Sequence, residues 1–144
     1  MVGLHTKSAN RTRGEGQAEF DNARKRLNRE RAESYTNAAV DYAKKLLPIL
    51  DDFDRALENV PSQIEEDSWF EGLVLVKRKL HSILEGLEVE PIEALGQPFD
   101  PSFHEALALQ DADGVESGVV IEELQAGYRR GDRVIRPALV NVAA

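Results

Sequence analysis

Between Tyr35 and Leu57 the apolar residues Tyr35, Ala39, Tyr42, Leu46, Ile49, Phe53 and Leu57 recur at alternating steps of four and three. That spacing is the period of a seam along one side of a long helix. From Gln17 to Asn59 there is no glycine and one proline, Pro48, and good helix formers dominate. A helix of ~43 residues would run roughly 65 Å, longer than a chain of this size can hide, so part of it must meet water or a second chain. Upstream the seam thins to Phe20, Leu27 and Tyr35, with Arg24 and Arg31 beside it. Pro48 allows two readings. A second helix starts there, since proline favours a first position, or one kinked helix runs through, removing one hydrogen bond. The stripe crosses Pro48 in register without turn residues, which favours the kinked continuous helix.

Pro61 closes this segment, and a second helix follows. Ser68-Trp69-Phe70-Glu71 has the form of a capping box, with Ser62-Gln63-Ile64-Glu65 as a rival start. The stripe Phe70, Leu73, Lys77, Leu80, Leu84, Leu87 is broadened by Val74, Val76 and Ile83, a face wide enough for a bundle. Two such hairpins from a dimer make four helices, with Tyr42, Leu46, Phe53, Leu73, Leu80 and Leu84 as the expected dimer interface. Gly72, beside the stripe, is expected to mark a close helix approach. After Val89 the pattern changes. Pro91, Gly96, Pro98, Pro101, Gly114, Gly118, Gly127, Gly131 and Pro137 punctuate short runs of branched residues. Ala106–Gln110, Val119–Gln125 and Arg133–Val142 read as strands, with Pro137 at an edge or bulge. The fold class is therefore α+β: a long N-terminal helix and a helical hairpin forming a dimeric four-helix bundle, then a small C-terminal β domain. The expected divisions are 1–16, polar and disordered or frayed; 17–88, helical; and 89–144, the β domain.

Charge adds direction. The net charge is −8, but residues 1–31 carry eight Lys/Arg against four Asp/Glu, so the remainder is strongly acidic. That bulk argues against nucleic acid as the main partner, although Arg24-Lys25-Arg26 with Arg29 and Arg31 leaves a basic stripe as an alternative. No apolar run is long enough for a membrane span, and no secretory h-region follows Met1. With no cysteine there is no disulfide or thiolate metal site. His5, His81 and His104 lack metal-ligand spacing. Asp51, Asp52 and Asp54 lack the glycine and distal glutamate of a calcium loop. No nucleophile, base and acid can be assembled, and no cofactor motif occurs, so the expected role is binding, not catalysis. A coiled-coil scaffold with a β cap is the competing reading.

Several segments together resemble the GrpE family. They are Phe20-Asp21-Asn22-Ala23-Arg24-Lys25-Arg26, the run from Leu46 to Leu57 including Pro48, and Glu71-Gly72. Pro98-Phe99-Asp100-Pro101-Ser102-Phe103-His104-Glu105-Ala106, and Gly127-Tyr128 with Gly131 and Arg133 to Val140, complete the match. The resemblance implies a cytoplasmic homodimeric co-chaperone, without cofactor, that binds the ATPase domain of a DnaK-type chaperone and accelerates ADP release. It also implies long helices that melt reversibly with heat. Matching contact positions are Arg24, Arg55 and Glu58 on the helix, and Leu124 and Val142 on the β domain. Many members place glycine where Glu88 stands, and Gly86 is expected to end the second helix slightly earlier.

Overall fold

The computed structural model describes the backbone of residues 2–144 and the side chains of residues 11–144. The chain divides into two compact units, residues 1–38 and 39–144. The boundary lies inside the first helix, α1, which spans Val2–Glu58. Residues 2–16, expected to be disordered or frayed, are helical. Gly14 and Gly16 each cost a helix about 1 kcal/mol relative to alanine, which weakens a helix without breaking it. An Arg11–Glu15 ion pair one turn apart supports this stretch. Among the described side chains of residues 11–38 none is buried, and only Ala23 and Thr36 are half-buried.

In the second unit α1 runs unbroken through Pro48 and ends at Glu58, where the Asn59 side-chain amide donates to the Arg55 carbonyl at 2.7 Å. α2 spans Ser68–Gly86. Its cap is Asp67, whose carboxylate accepts the Trp69 amide at 3.4 Å, so the box expected at Ser68 begins one residue early. The rival start at Ser62 is a turn, closed by the Ile64 amide on the Pro61 carbonyl and the Asp67 amide on the Ile64 carbonyl.

α2 does end at Gly86, but the left-handed residue that turns the chain away is Glu88, with φ 61°. The Val89 amide reaches back to the Leu84 carbonyl and the Glu88 amide to the Glu85 carbonyl, both at 2.9 Å. This is a Schellman cap, in which glycine is the usual left-handed residue because a Cβ costs about 1–2 kcal/mol there. Leu84 and Val89 are both buried and pack in one cluster, the apolar contact that accompanies such caps. Glu88 is retained beside Arg130, whose Nη2 lies 3.1 Å from its carboxylate, but Glu88 is largely exposed and that pair is worth little. Glu88→Gly is therefore expected to raise stability by roughly 0.5–1 kcal/mol in urea unfolding. A lower midpoint would mean the ion pair outweighs the backbone strain.

Six strands follow: β1 Glu90–Pro91, β2 His104–Gln110, β3 Val120–Gln125, β4 Tyr128–Arg130, β5 Arg133–Arg136 and β6 Ala138–Ala143. They form two three-stranded sheets. One is antiparallel with β4 between β1 and β5. The other has β6 at its centre, parallel to β2 and antiparallel to β3. The run 133–142, expected as one strand, is two strands in different sheets. Pro137 separates them, since a proline offers no amide to continue the first ladder. Tyr128–Arg130, outside the strands read from the sequence, form β4, and the tight turn is Gly131-Asp132.

The core explains why residues 39–144 form one unit despite the expected division at residue 88. Val40, Ala43, Leu47 and Leu50 of α1 pack with Leu84 of α2 and with Val89, Tyr128 and Ile135. Ala94, Val120, Ala138, Val140 and Val142 make a second cluster with Phe99 against it. Gly72 does not pack within the chain: a Cβ built there meets no atom within 4 Å.

Candidate partner-binding face

A groove with a volume of about 360 Å³ lies between the end of α1 and β3. Asp51, Asp54, Arg55 and Glu58 line it from the helix, and Glu123, Leu124, Gln125 and Ala126 from the sheet side. Two elements more than 60 residues apart thus bring three of the expected contact residues, Arg55, Glu58 and Leu124, to one place. Arg55 pairs with Asp52 one turn earlier, at 3.4 Å, and both side chains are largely exposed. Such a pair is weak and exchangeable, leaving the guanidinium able to meet a partner. Leu124 is 43% exposed, large for a leucine at the lip of a polar groove. Burial raises the Glu123 carboxyl above the usual carboxylate value, with His104 opposing.

Behind the groove the helix and sheet are tied together by an ionic clamp. The Arg136 guanidinium holds Asp51 through two parallel contacts, Nη1–Oδ2 at 2.6 Å and Nη2–Oδ1 at 2.7 Å. Its Nε donates to the Ala126 carbonyl at 2.8 Å, and the guanidinium sits over the Tyr128 ring at 5.5 Å. Gln125 adds a bond to the same aspartate at 3.1 Å. Burial first, then the carboxylate of Asp54, pushes the Tyr128 phenol up to about 12, so it stays neutral in this wall. Lys77 of α2 pairs with Asp54. Of the three clustered aspartates, Asp51 and Asp54 are therefore fasteners that hold other elements, and Asp52 faces solvent.

Other expected positions are placed differently. Val142 was expected as an exposed anchor, but it is 3% exposed and sits in the second core cluster. Its strand is the centre of its sheet, which is why both neighbours cover it. Arg24 is exposed in the first unit. Of the expected dimer residues, Leu84 is fully buried in its own chain, and Leu46 and Leu80 pack partly against the same cluster. Phe53 and Leu73 are half-buried, and Tyr42 is exposed. Sequence reasoning treated the apolar positions as one seam, whereas α1 carries two faces. Val40, Ala43, Leu47 and Leu50 face the chain's own core. Tyr42 and Ile49, seven residues apart and so on nearly the same side, lie roughly 130° around the helix from that face at 100° per residue, and remain exposed.

His104 is buried, and its Nδ1 accepts the Asp100 amide at 3.0 Å, a structural bond. His81 is half-buried, and His5 lies outside the residues whose side chains are described. Among the described residues no helix is long and apolar enough to cross a membrane.

The GrpE family model matches residues 5–144. The chain belongs to the GrpE family. Among relatives, Protein GrpE of Carboxydothermus hydrogenoformans is 46% identical over 126 residues, which cover 88% of this chain and 64% of that protein. Protein GrpE of Geobacillus kaustophilus is 42% identical, covering 88% and 59%. Protein GrpE of Rhizorhabdus wittichii is 38% identical, covering 88% and 72%. The chain thus spans about three-fifths of the length of the first two relatives. Within the family frame, the characteristic Leu46–Leu57 segment has a double task. Leu47 and Leu50 enter the core, Asp51 anchors the sheet, and Arg55 reaches the groove.

Proposed function

We propose that this GrpE-family chain is a nucleotide exchange factor, a non-enzymatic co-chaperone that binds the ATPase domain of a DnaK-type chaperone in the cytoplasm and speeds ADP release. The observation that carries this reading, beside family membership, is the groove that joins Arg55, Glu58 and Leu124. It combines an exposed apolar anchor with exchangeable charge on two elements, α1 and β3, joined by the Gln125–Asp51 bond and braced by Arg136, which holds both Asp51 and the Ala126 carbonyl. A binding face of this kind grips a partner by burying the leucine and exchanging solvent-facing ion pairs for intermolecular ones. Val142 contributes from beneath, by holding β6 in place. Arg24 extends the contact along the helix.

The working form is a homodimer. Tyr42 and Ile49 on α1, with Trp69, Val76 and Ile83 at seven-residue spacing on α2, leave large apolar side chains in water in a single chain. A second copy covering these stripes removes that exposure, at ~25 cal/mol per Å² of apolar area. Gly72 lies beside the α2 stripe, where a partner helix can approach closely.

The test is stopped-flow release of labelled ADP from a DnaK-type chaperone, with dimer mass checked by light scattering. Arg55→Ala and Leu124→Ala should each weaken the productive complex, the leucine by ~2 kcal/mol or about thirtyfold. Circular dichroism and mass should stay unchanged. Release at the unmodified rate for both variants and for the double variant would remove the groove from the working surface.

A thermosensing role is proposed for the first unit. With no buried side chain among residues 11–38, that helix depends on its own propensity or on the partner chain. Helicity should be lost in two steps, the first below the calorimetric transition of residues 39–144. A single coincident two-state transition by both probes would count against it.

A further inference from the structure

Strand β2 is an edge of its sheet: among the described residues it pairs with β6 and with no other strand. From Glu105 to Gln110 every residue is exposed. Leu107 and Leu109 are 64% and 70% exposed, and Gln110 is followed by Asp111. Soluble proteins blunt such an edge with lysine, proline or a covering loop, because its unpaired amides and carbonyls template another strand. Neither lysine nor proline occurs in β2, and a bulge between Ala106 and Ala108 is its one irregularity.

The charge around the edge is of one sign. Glu105 lies in the strand and Asp111, Asp113 and Glu116 follow it, and residues 104–125 carry no lysine or arginine; Glu122 and Glu123 lie on β3, the opposite edge of the sheet. All four arginines of residues 89–144 lie on β4 and β5, in the other sheet. An acidic fringe repels a second copy of the same edge, since like charges would face each other across the new ladder. It attracts a cationic strand for the same reason.

We propose that β2 is a docking edge for an extended, basic polypeptide segment in which cationic and apolar residues alternate. The segment adds as a fourth strand. Main-chain hydrogen bonds hold it, its apolar residues cover Leu107 and Leu109, and its cations meet the carboxylates. This surface is separate from the groove at Arg55 and Leu124, so it is read without any chaperone present.

The experiment is fluorescence anisotropy of the full chain with three labelled ten-residue peptides. One alternates arginine and valine, one alternates glutamate and valine, and the third is the arginine peptide N-methylated at every second residue. The arginine peptide should bind saturably, the glutamate peptide at least tenfold more weakly, and the N-methylated peptide at least tenfold more weakly. Leu107→Gln with Leu109→Gln removes apolar cover without altering charge and, on positions about two-thirds exposed, leaves the fold intact by circular dichroism. It should weaken the arginine peptide about tenfold. Equal binding of the N-methylated peptide would reduce the effect to charge alone and overturn strand addition. Equal binding by the double variant, equal binding of the acidic peptide, or no binding at all would each overturn it too. So would cross-linking that shows β2 already paired with β2 of a second copy.

Discussion

Arg136→Ala is expected to lower the stability of the second unit by about 3 kcal/mol, the lower end of what breaking a buried ion pair costs. The reason is geometric. Arg136 and Asp51 are each more than four-fifths covered, with 19% and 18% of their side chains exposed. Removing the guanidinium leaves the Asp51 carboxylate with Gln125 as its remaining side-chain donor at 3.1 Å, and leaves the Ala126 carbonyl without the Nε bond. An unpaired buried charge costs far more than the net worth of the pair that held it. Arg136→Lys should recover only part of the loss, because an ammonium cannot make two parallel bonds to one carboxylate while also reaching a carbonyl. A double-mutant cycle with Asp51→Ala separates the terms: the double variant should be more stable than additivity predicts, with a coupling on the order of 2 kcal/mol. Urea midpoints give each value. If Arg136→Ala leaves the midpoint within error, the clamp is not what fixes the sheet to α1.

The same clamp illustrates what the sequence could and could not disclose. Periodicity near 3.6 located α1 and α2, because a stripe of Leu and Ile survives whatever it packs against. It did not separate the inward face of Val40, Ala43, Leu47 and Leu50 from the outward face of Tyr42 and Ile49. Both faces are apolar, and a one-dimensional pattern does not say which is covered by the chain itself. Nothing near Asp51 in the sequence marks it as a fastener, because its partner stands 85 residues later. Charge complementarity over such a distance leaves no local spacing to read. The alternation and turn residues after Val89 indicated strands, yet not that Pro137 marks a passage from one sheet to another. That depends on which ladder each half joins.

For the candidate site, the helix positions Arg55 and Glu58 and the sheet position Leu124 came from resemblance, and the fold brings them into one groove. Val142 came by the same route and fails as an exposed contact. A valine in a six-residue β run has the same local pattern whether its strand is central or at an edge. The cap of α2 was misplaced by one residue because Asp67 and Ser68 are both good caps, and only the backbone conformation of Asp67, extended at φ −79° and ψ 142°, selects between them. The free edge of β2 was invisible for a related reason: strand order is a property of the sheet, not of any one segment.

Gly127→Ala is expected to be at least as disruptive as loss of the clamp, from a single methyl group. A Cβ built on Gly127 sits 2.9 Å from the Ala138 Cα and from the Pro137 carbonyl carbon, and closer still to the Ala138 nitrogen. These are backbone atoms, so no rotamer change relieves the contact. Either the 126–128 segment or the Pro137-Ala138 corner must move. Both choices are costly. Gly127 accepts the Ile92 amide through its carbonyl at 2.9 Å, while Ala138 is fully buried and donates its amide to the Phe103 carbonyl at 3.0 Å. Overpacking in a rigid interior costs typically 1–3 kcal/mol, and backbone displacement at a point where two sheets meet belongs at or above the top of that range. The urea midpoint of Gly127→Ala should therefore fall by ~3 kcal/mol or more in stability terms. Gly72→Ala supplies the opposing control. In the single chain its Cβ meets nothing within 4 Å, and helix propensity alone would raise stability by about 1 kcal/mol. A loss instead, with a fall in dimer mass, would place a partner helix against that glycine. Near-unmodified stability of Gly127→Ala would mean that the corner at Pro137 yields easily, and that the close approach of the two segments does not require glycine.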